Sequence, residues 1–339
     1  MEFRYIGKSG LRVSPICMGT MTFGSQCDKA EALAILDKSY NAGINFFDTA
    51  EIYPVPPKSL TVGLTENIVG EWLNTKPRDS IILATKVAGA ANGWFVPPVR
   101  HGLTAIDRFH IMRAVEGSLK RLKTDYIDLY QVHWPDMVVP VEESLEALDR
   151  LVGDGKVRYI GTSNDSAYGL TKANERAKFL GFKRFESIQN NFSLLNPRFL
   201  DELSTVCEKE SISLLPYSPL AGGVLTGKYN GEFYPKDARF SSYMADKNPR
   251  VKAQASRFVN PKTLKATSIY KDIAKELGMD ATTLAVAWSM AHSFVASTII
   301  GATKADQLDA SLKALDVKLE KETLAKINAV LSDILYPMG

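Results

Sequence analysis

The sequence predicts an α/β protein that folds as a closed (β/α)₈ barrel, also called a TIM barrel. Eight short apolar runs alternate with amphipathic stretches of helical periodicity, which is typical of a parallel sheet covered by helices. The 339 residues contain no low-complexity linker, which favours one barrel domain over residues 1–339 rather than a doubly wound sheet. In such a barrel the carboxyl ends of all strands meet at one face, where functional residues are expected.

The first predicted element is a hairpin of Phe3–Tyr5 and Leu11–Val13 around a glycine turn, placed to plug one end of the barrel. The predicted barrel strands are Ile16–Gly19, Ile44–Phe47, Ile81–Ala84, Tyr126–Val132, Val157–Gly161, Ser187–Gln189, Ser213–Pro216 and Ala296–Ile300. The predicted helices between and after them are Lys29–Asn41, Asn67–Asn74, Arg108–Leu122, Val141–Gly153, Ala167–Leu180, Pro197–Glu210, Leu264–Leu277 and Lys304–Leu315. An extra C-terminal helix is predicted at Lys321–Leu335.

Two connections are long: Val87–Ile106 after the third strand and Pro219–Lys262 after the seventh. Both are rich in aromatic residues, so they are interpreted as functional lids over the barrel mouth rather than as disordered insertions. Few residues follow the last predicted helix, and an open site of broad specificity is therefore expected.

Composition excludes several classes of function. The net charge of +3, from 41 basic and 38 acidic residues, does not indicate nucleic-acid binding. The three cysteines Cys17, Cys27 and Cys207 form neither a disulfide framework nor a zinc motif, and no metal site is predicted. The sequence has no signal region and no apolar run that approaches the roughly 18 residues of a membrane span. A cytoplasmic protein without membrane or nucleic-acid partners is expected.

Polar and titratable residues follow nearly every predicted strand. Each has an ordinary structural explanation when taken alone, as a turn residue, a helix cap or a solvated strand end. A barrel would nevertheless gather them at one mouth, partly buried and in need of one another as partners. The set comprises Asp48 and Tyr53 after the second strand, Lys86, His133, Ser163-Asn164, Gln189-Asn190 and Tyr217-Ser218.

These side chains suit the reduction of a carbonyl group. An ammonium beside Tyr53 is expected to lower the pKa of that phenol, and Asp48 can keep Lys86 protonated. His133 can donate a hydrogen bond to a carbonyl oxygen, and Tyr53 can protonate that oxygen as charge arrives on it. Because no protein side chain delivers hydride, a nicotinamide cofactor is implied.

Motifs along nearly the whole chain resemble the aldo-keto reductases, and most closely the bacterial branch that is also similar to potassium-channel β subunits. The motifs are Gly19-Thr20-Met21-Thr22-Phe23-Gly24, Phe47-Asp48-Thr49-Ala50-Glu51-Ile52-Tyr53, Ala84-Thr85-Lys86, His133-Trp134, Gly161-Thr162-Ser163-Asn164, Tyr217-Ser218-Pro219-Leu220 and Leu225-Thr226-Gly227-Lys228-Tyr229. By this resemblance the catalytic tetrad is Asp48, Tyr53, Lys86 and His133, with Tyr53 as the proton donor.

The resemblance also implies NADP(H) as the cofactor and a set of residues that bind it. Gly19, Thr20, Met21, Asp48 and Gln26 would lie at its reactive end. Ser163, Asn164 and Gln189 would hold the nicotinamide amide, and Tyr217 would stack on the ring. Ser218, Pro219, Leu220, Gly222 and Lys228 would follow the pyrophosphate, with Arg239 near the adenosine.

The 2′-phosphate segment of the family falls on Gly301, Thr303, Lys304 and Gln307. Free N–H groups at a helix start and the lysine charge would together form an anion site there. An ordinary capped helix at this place would instead predict the use of NADH. Ala310-Ser311 departs from the usual Glu-Asn of the family, which is expected to loosen adenine binding. The sequence has no GxGxxG between a strand and a helix, in agreement with a barrel that binds its cofactor extended.

The implied function is NADPH-dependent reduction of small-molecule aldehydes, and of ketones or quinones as further substrates. Met21, Phe23, Tyr53, Trp94 and Trp134 are predicted to wall the substrate pocket, although such aromatics also serve as packing residues. The alternative is an NADP(H)-binding regulatory subunit, as in the channel relatives. A third possibility, a lyase with Lys86 as a Schiff-base amine, is poorly supported because Asp48 should keep that lysine charged.

Overall fold

The computed structural model of the chain describes residues 1–91, 100–236 and 238–338. Within these residues, eight parallel strands form one sheet, and helices surround this sheet. This arrangement confirms the predicted barrel with its N-terminal hairpin. The hairpin consists of β1 (Arg4–Tyr5) and β2 (Arg12–Val13). The barrel strands are β3 (Ile16–Gly19), β4 (Phe46–Asp48), β5 (Ile82–Val87), β6 (Ile127–Val132), β7 (Val157–Ser163), β8 (Phe185–Gln189), β9 (Ser213–Leu214) and β10 (Thr298–Ile300).

The helices of the described chain are α1 (Lys29–Asn41), α2 (Leu64–Leu73), α3 (Arg108–Leu122), α4 (Val141–Gly153), α5 (Ala167–Leu180), α6 (Leu203–Glu210), α7 (Arg239–Ala245), α8 (Pro249–Phe258), α9 (Pro261–Glu276), α10 (Ala281–Met290), α11 (Leu308–Leu312) and α12 (Lys321–Asp333). Two of them begin with an aspartate whose side chain caps the first turn. The side chain of Asp28 accepts from the N–H of Glu31 at the start of α1, and Asp107 accepts from the N–H of His110 in α3.

The sheet runs from β10 through β3 to β9 in the order of a barrel. Its register places Gly19 beside Asp48, and Lys86 beside Gln131. Backbone hydrogen bonds close the ring between β9 and β10: Leu214 N–H donates to the Phe294 carbonyl at 2.7 Å, and Ile299 N–H donates to that of Pro216 at 2.8 Å. The strand ends therefore share one mouth.

The hairpin covers the opposite, amino-terminal end. Its residues Ile6, Leu11 and Val13 belong to the same buried apolar cluster as the inward-facing strand residues Phe46 and Leu129. Gly7 N–H donates to the hydroxyl of Ser213, the first residue of β9, at 2.8 Å. The barrel interior is thus closed to solvent at this end.

The structure corrects several predicted boundaries. α10 has no counterpart in the prediction, because eight of its ten residues are buried and the helix lacks the polar face that produces a helical pattern. The connection 219–262 is not one long irregular loop, since it contains α7, α8 and a 3₁₀ segment, Ala221–Thr226. The predicted helix Pro197–Glu210 is divided into a 3₁₀ turn, Arg198–Leu200, and α6.

The three cysteines are buried free thiols. Within the described ranges no helix is long and apolar enough to cross a lipid bilayer.

Candidate active site

A buried ion pair lies at the carboxyl ends of two adjacent strands. Asp48 ends β4 and Lys86 lies near the end of β5, and their side chains are 2% and 0% exposed. Lys86 Nζ donates to Asp48 Oδ1 and, at 2.8 Å, to the carbonyl oxygen of Thr49. Burial by itself lowers the pKa of Lys86, but the charge of Asp48 and the contact with Tyr53 raise it above its ordinary value. Lys86 is therefore an ammonium at neutral pH.

The segment after Asp48 returns Tyr53 to this pair. Lys86 Nζ donates to the Tyr53 hydroxyl oxygen at 3.4 Å, and the phenol is 8% exposed. Burial raises the pKa of Tyr53, and Lys86 opposes this rise without reversing it. The predicted net lowering of the Tyr53 pKa is therefore wrong, because the loss of hydration outweighs the ammonium. Tyr53 keeps its proton at neutral pH.

His133 follows β6 and faces the same phenol. The ring centroids of Tyr53 and His133 are 5.7 Å apart, with the rings nearly perpendicular. Burial, followed by the charge of Lys86, holds the pKa of His133 well below its ordinary value. A neutral imidazole carries one N–H group, which it can donate to an incoming oxygen.

Two glutamines complete the surroundings of Asp48. Its Oδ2 accepts from Gln189 Nε2 at 2.9 Å and from Gln131 Nε2 at 3.0 Å. Gln189 is a predicted site residue, whereas Gln131 is not. The available signal was the amide of Gln131 one residue before the end of a predicted strand, since such a group must have a buried partner.

A polar network continues around the mouth across the next strand ends. The Ser163 hydroxyl donates to the Gln189 carbonyl at 2.7 Å. Asn164 Nδ2 donates to the carbonyl of His133 at 2.9 Å, and Tyr217 donates from its hydroxyl to Asn164 Oδ1 at 2.7 Å. The ends of β6, β7, β8 and the segment after β9 are thereby joined into one polar rim.

Comparison with known proteins agrees with this geometry. The sequence profile described as the Aldo/keto reductase family matches residues 15–332. The chain belongs to this family. Protein tas of Escherichia coli is 39% identical over 99% of both chains. Oxidoreductase YrpG of Bacillus subtilis, itself described as uncharacterized, is 35% identical over 97% of this chain and 96% of its own. A probable voltage-gated potassium channel subunit beta of rice, Oryza sativa, is 36% identical over 98% and 97%.

Membership of the aldo/keto reductases makes the chain an oxidoreductase by family, and members of this family generally use NAD(P)H. The tetrad expected from the family is brought together at the barrel mouth, as described above. Thr20 follows β3 at the mouth, and its N–H and hydroxyl both donate to the Asp48 carbonyl at 3.0 Å. Met21 packs in the apolar cluster that contains Tyr53 and Trp134.

The predicted pocket walls differ in their placement. Trp134 Nε1 donates to the Ala90 carbonyl at 2.7 Å, and its ring centroid lies 5.0 Å from that of His133. Phe23 is instead completely buried between the barrel and its helices, in a cluster with Ile35 and Ile68, so its predicted role as a pocket wall is wrong. Burial in this core removes the apolar ring of Phe23 from water more completely than a place at the barrel mouth would. Trp94 lies outside the described residues.

A basic pair, Lys228 and Arg239, lies in the connection after β9. Burial, followed by the nearby Arg239, lowers the pKa of Lys228, and burial also lowers that of Arg239. Arg239 Nε donates to Gln26 Oε1 at 3.1 Å, and neither cation has a carboxylate within 4.0 Å in the described parts of the chain. Neighbouring cations that lack a counter-charge favour an anionic ligand.

The backbone of the segment before these cations packs closely against a side chain of α7. Ser218 and Gly222 have φ values of +55° and +65°, and a Cβ added at Gly222 would lie 2.5 Å from the Phe240 ring. Glycine is required there because a side chain has no space. Pro219 and Leu220 form the turn that leads from β9 to this segment.

The predicted 2′-phosphate segment is arranged differently from the expectation. A 3₁₀ turn, Ala305–Gln307, follows Lys304, in place of the first turn of an α-helix. The N–H of Thr303 donates to Gln307 Oε1 at 2.9 Å, and that of Ala305 donates to Glu31 Oε1 at 2.6 Å. Two N–H groups within the predicted 2′-phosphate segment are therefore occupied by side chains. Gly301 and the exposed Lys304 remain accessible.

Proposed function

We propose that the protein is an NADPH-dependent reductase of aldehydes, with ketones and quinones as further candidate substrates, and that Tyr53 is its proton donor. The observation that carries this proposal is the contact of the Tyr53 hydroxyl with the buried, charged Lys86 beside His133. When bound, NADPH would supply the hydride for the carbonyl carbon. The chain must then orient the carbonyl, supply a proton to its oxygen and hold the resulting charge.

His133 orients the substrate in this proposal. Its depressed pKa keeps the imidazole neutral, so that it donates an N–H to the carbonyl oxygen without competing with Tyr53 as an acid. The donor is already in place before reaction, because β6 and the contact with Tyr53 fix the ring.

Tyr53 supplies the proton in the same proposal. Its raised pKa means that the phenol holds the proton until negative charge develops on the substrate oxygen, which is far more basic than a carbonyl. Lys86 stabilises the phenolate that remains, and Asp48 with Gln131 and Gln189 keeps the ammonium in place. The lysine acts on the product of proton transfer rather than by making the free phenol acidic.

For the cofactor, we propose that Ser163, Asn164 and Gln189 hold the nicotinamide amide and that Tyr217 stacks on the ring. The connected polar rim supports this placement, and so do Lys228 and Arg239, which have no carboxylate within 4.0 Å among the described residues. For the 2′-phosphate the remaining support is Lys304 and its neighbours. The carboxylate of Glu31 beside Ala305 opposes a second negative charge, so we expect a moderate rather than an absolute preference for NADPH.

The direct test is turnover of NADPH with an aromatic aldehyde such as 4-nitrobenzaldehyde, followed at the absorbance band of the reduced nicotinamide. Tyr53→Phe should reduce kcat by about 100-fold or more, the usual contribution of a positioned general acid. Tyr270→Phe is the matched control, because it removes a buried hydroxyl that donates to the Leu194 carbonyl at 3.4 Å in the outer helix layer. Equal activity of Tyr53→Phe and wild type would refute the assignment.

The second candidate function is an NADP(H)-binding regulatory subunit. The 36% identity to a protein described as a probable potassium channel subunit beta favours it. The same assay separates the two functions, because a regulatory subunit would bind NADPH tightly without turnover of any carbonyl tested. Repetition with NADH tests the role of Lys304, and equal use of both cofactors would contradict it.

A further inference from the structure

A second buried acid lies between the two residues Asp48 and Tyr53. The side chain of Glu51 is 12% exposed and points away from the ion pair, toward the segment that follows β5. Its Oε1 accepts from the N–H of Ala88 at 2.5 Å, and its own N–H donates to the carbonyl of Lys86 at 3.2 Å. Glu51 therefore joins the Tyr53 segment to the strand end that carries Lys86 by two hydrogen bonds.

His110 of α3 contacts the other backbone polar group of Ala88, its carbonyl oxygen. Its Nε2 lies 3.0 Å from the carbonyl oxygen of Ala88 and 3.7 Å from Glu51 Oε1. Because both neighbours are acceptors, Nε2 must carry the hydrogen. Burial lowers the pKa of His110, which agrees with a neutral ring of this tautomer. Both polar groups of Ala88 are thus occupied by one buried Glu–His pair.

The position of Ala88 gives the pair its importance. Ala88 is two residues beyond Lys86, and its methyl group belongs to the small apolar cluster that contains Ala50, Ile52 and Tyr53. A shift of this segment changes the separation between the phenol and the ammonium, which is 3.4 Å. The charged and titratable groups around the pair are Glu66 of α2, Arg113 and Arg121 of α3, Asp107 and Arg100 before α3, and Tyr130 of β6.

We propose that Glu51 and His110 are positioning residues for the reaction, which set the distance between Tyr53 and Lys86 by fixing Ala88. This inference rests on the proposed function, in which Tyr53 transfers the proton. Within the described residues, neither side chain makes a hydrogen bond or an ion pair with a side chain of the tetrad. Their effect on rate is geometric, and a displacement of about 1 Å is sufficient to cost on the order of 100-fold in rate.

Two pairs of variants test the proposal. Glu51→Met removes the acceptor for Ala88 N–H, whereas Glu51→Gln retains an oxygen in that position. His110→Leu removes the donor to the Ala88 carbonyl, whereas the Nε2 of a glutamine in His110→Gln replaces it. We expect kcat to fall by about 10-fold or more in Glu51→Met and His110→Leu, and by less than about threefold in the two conservative variants. The dissociation constant of NADPH, from fluorescence quenching, should stay within about twofold of wild type in all four.

Asp128→Asn is the matched control. Asp128 is another buried carboxylate that accepts from an N–H of β5, that of Leu83 at 2.9 Å, but at the amino-terminal end of the strand. The variant Asp128→Asn should be less stable than wild type and should keep the wild-type kcat. A comparable fall of kcat in Asp128→Asn, or equal falls in the Met and Gln variants of Glu51, would show that general destabilisation explains the result and would overturn the proposal.

A wild-type kcat in folded Glu51→Met and His110→Leu would also overturn the proposal. If Glu51→Met does not fold, the comparison of His110→Leu with His110→Gln provides the test. A crystal structure of either variant gives a readout that needs no turnover: an unchanged separation of Tyr53 Oη and Lys86 Nζ contradicts the proposal, and a lengthened one supports it. Failure of the proposed function looks different, because wild type would then lack aldehyde reduction or Tyr53→Phe would retain it.

Discussion

The buried ion pair at the barrel mouth gives a prediction about stability that is independent of turnover. Lys86→Met keeps most of the side-chain volume but removes the ammonium from Asp48, whose carboxylate is 2% exposed. The carboxylate retains its hydrogen bonds from Gln131 at 3.0 Å and Gln189 at 2.9 Å, which limits the cost. The carbonyl of Thr49 loses a donor at 2.8 Å.

Removal of one partner from a buried pair costs about 3–5 kcal/mol, and we place Lys86→Met in this range. The double variant Lys86→Met/Asp48→Asn has no buried charge left, so it should recover about half of this loss or more. Free energies of unfolding from urea titrations, monitored by tryptophan fluorescence, supply the double-mutant cycle. The reasoning is refuted if Lys86→Met loses less than about 1 kcal/mol, or if the added Asp48→Asn makes the protein less stable still.

Three further predictions concern other residues of the mouth. Burial raises the pKa of Glu51 from 4.5 to about 7. Between these values the folded state holds a proton that the unfolded state has lost, so its contribution to stability falls as the pH rises. The difference corresponds to about 3 kcal/mol, and the fall in stability between about pH 4.5 and pH 7 should be smaller in Glu51→Gln by an amount of that order. Equal pH dependence in both proteins would contradict the shift. Because the pKa of His133 lies well below its ordinary value, kcat should show no ionisation of this residue near pH 6.5. A titration in that range that His133→Asn abolishes would disprove the neutral ring. Gly19→Ala should destabilise the barrel by about 1–3 kcal/mol through overpacking, since the added Cβ would lie 2.6 Å from Ile299 Cγ2. Gly301→Ala serves as the control, because a Cβ added at Gly301 would have no described atom within 4 Å. Equal melting temperatures of the two variants would count against the crowding at Gly19.

Many elements could be predicted because their causes are local. α1, α3, α4 and α5 have the predicted bounds, since their apolar spacing lies within each segment and the residues that begin and end them are immediate neighbours in sequence. α10 could not be predicted in this way. Its burial on all sides is a consequence of the surrounding elements, and it leaves no helical alternation in the sequence.

Some residues of the candidate site could likewise be predicted from local sequence, and others could not. The strand-end positions of Asp48, Lys86 and His133 follow from the alternation of strands and helices, which brings the strand ends to one mouth. Gln131, Glu51 and His110 did not follow, because a polar side chain in or near a strand becomes significant only when its partner is known. The occupied N–H groups at Thr303 and Ala305 also depend on side chains, of which Glu31 is distant in sequence.

The sequence by itself determined the barrel and the residue types at its mouth, because periodicity and strand-end chemistry are properties of neighbouring residues. The protonation states were decided only by the tertiary structure. Tyr53 lies beside an ammonium and still has a raised pKa. Burial destabilises the phenolate by more than the charge of Lys86 stabilises it. That balance depends on how deeply the finished fold buries the pair.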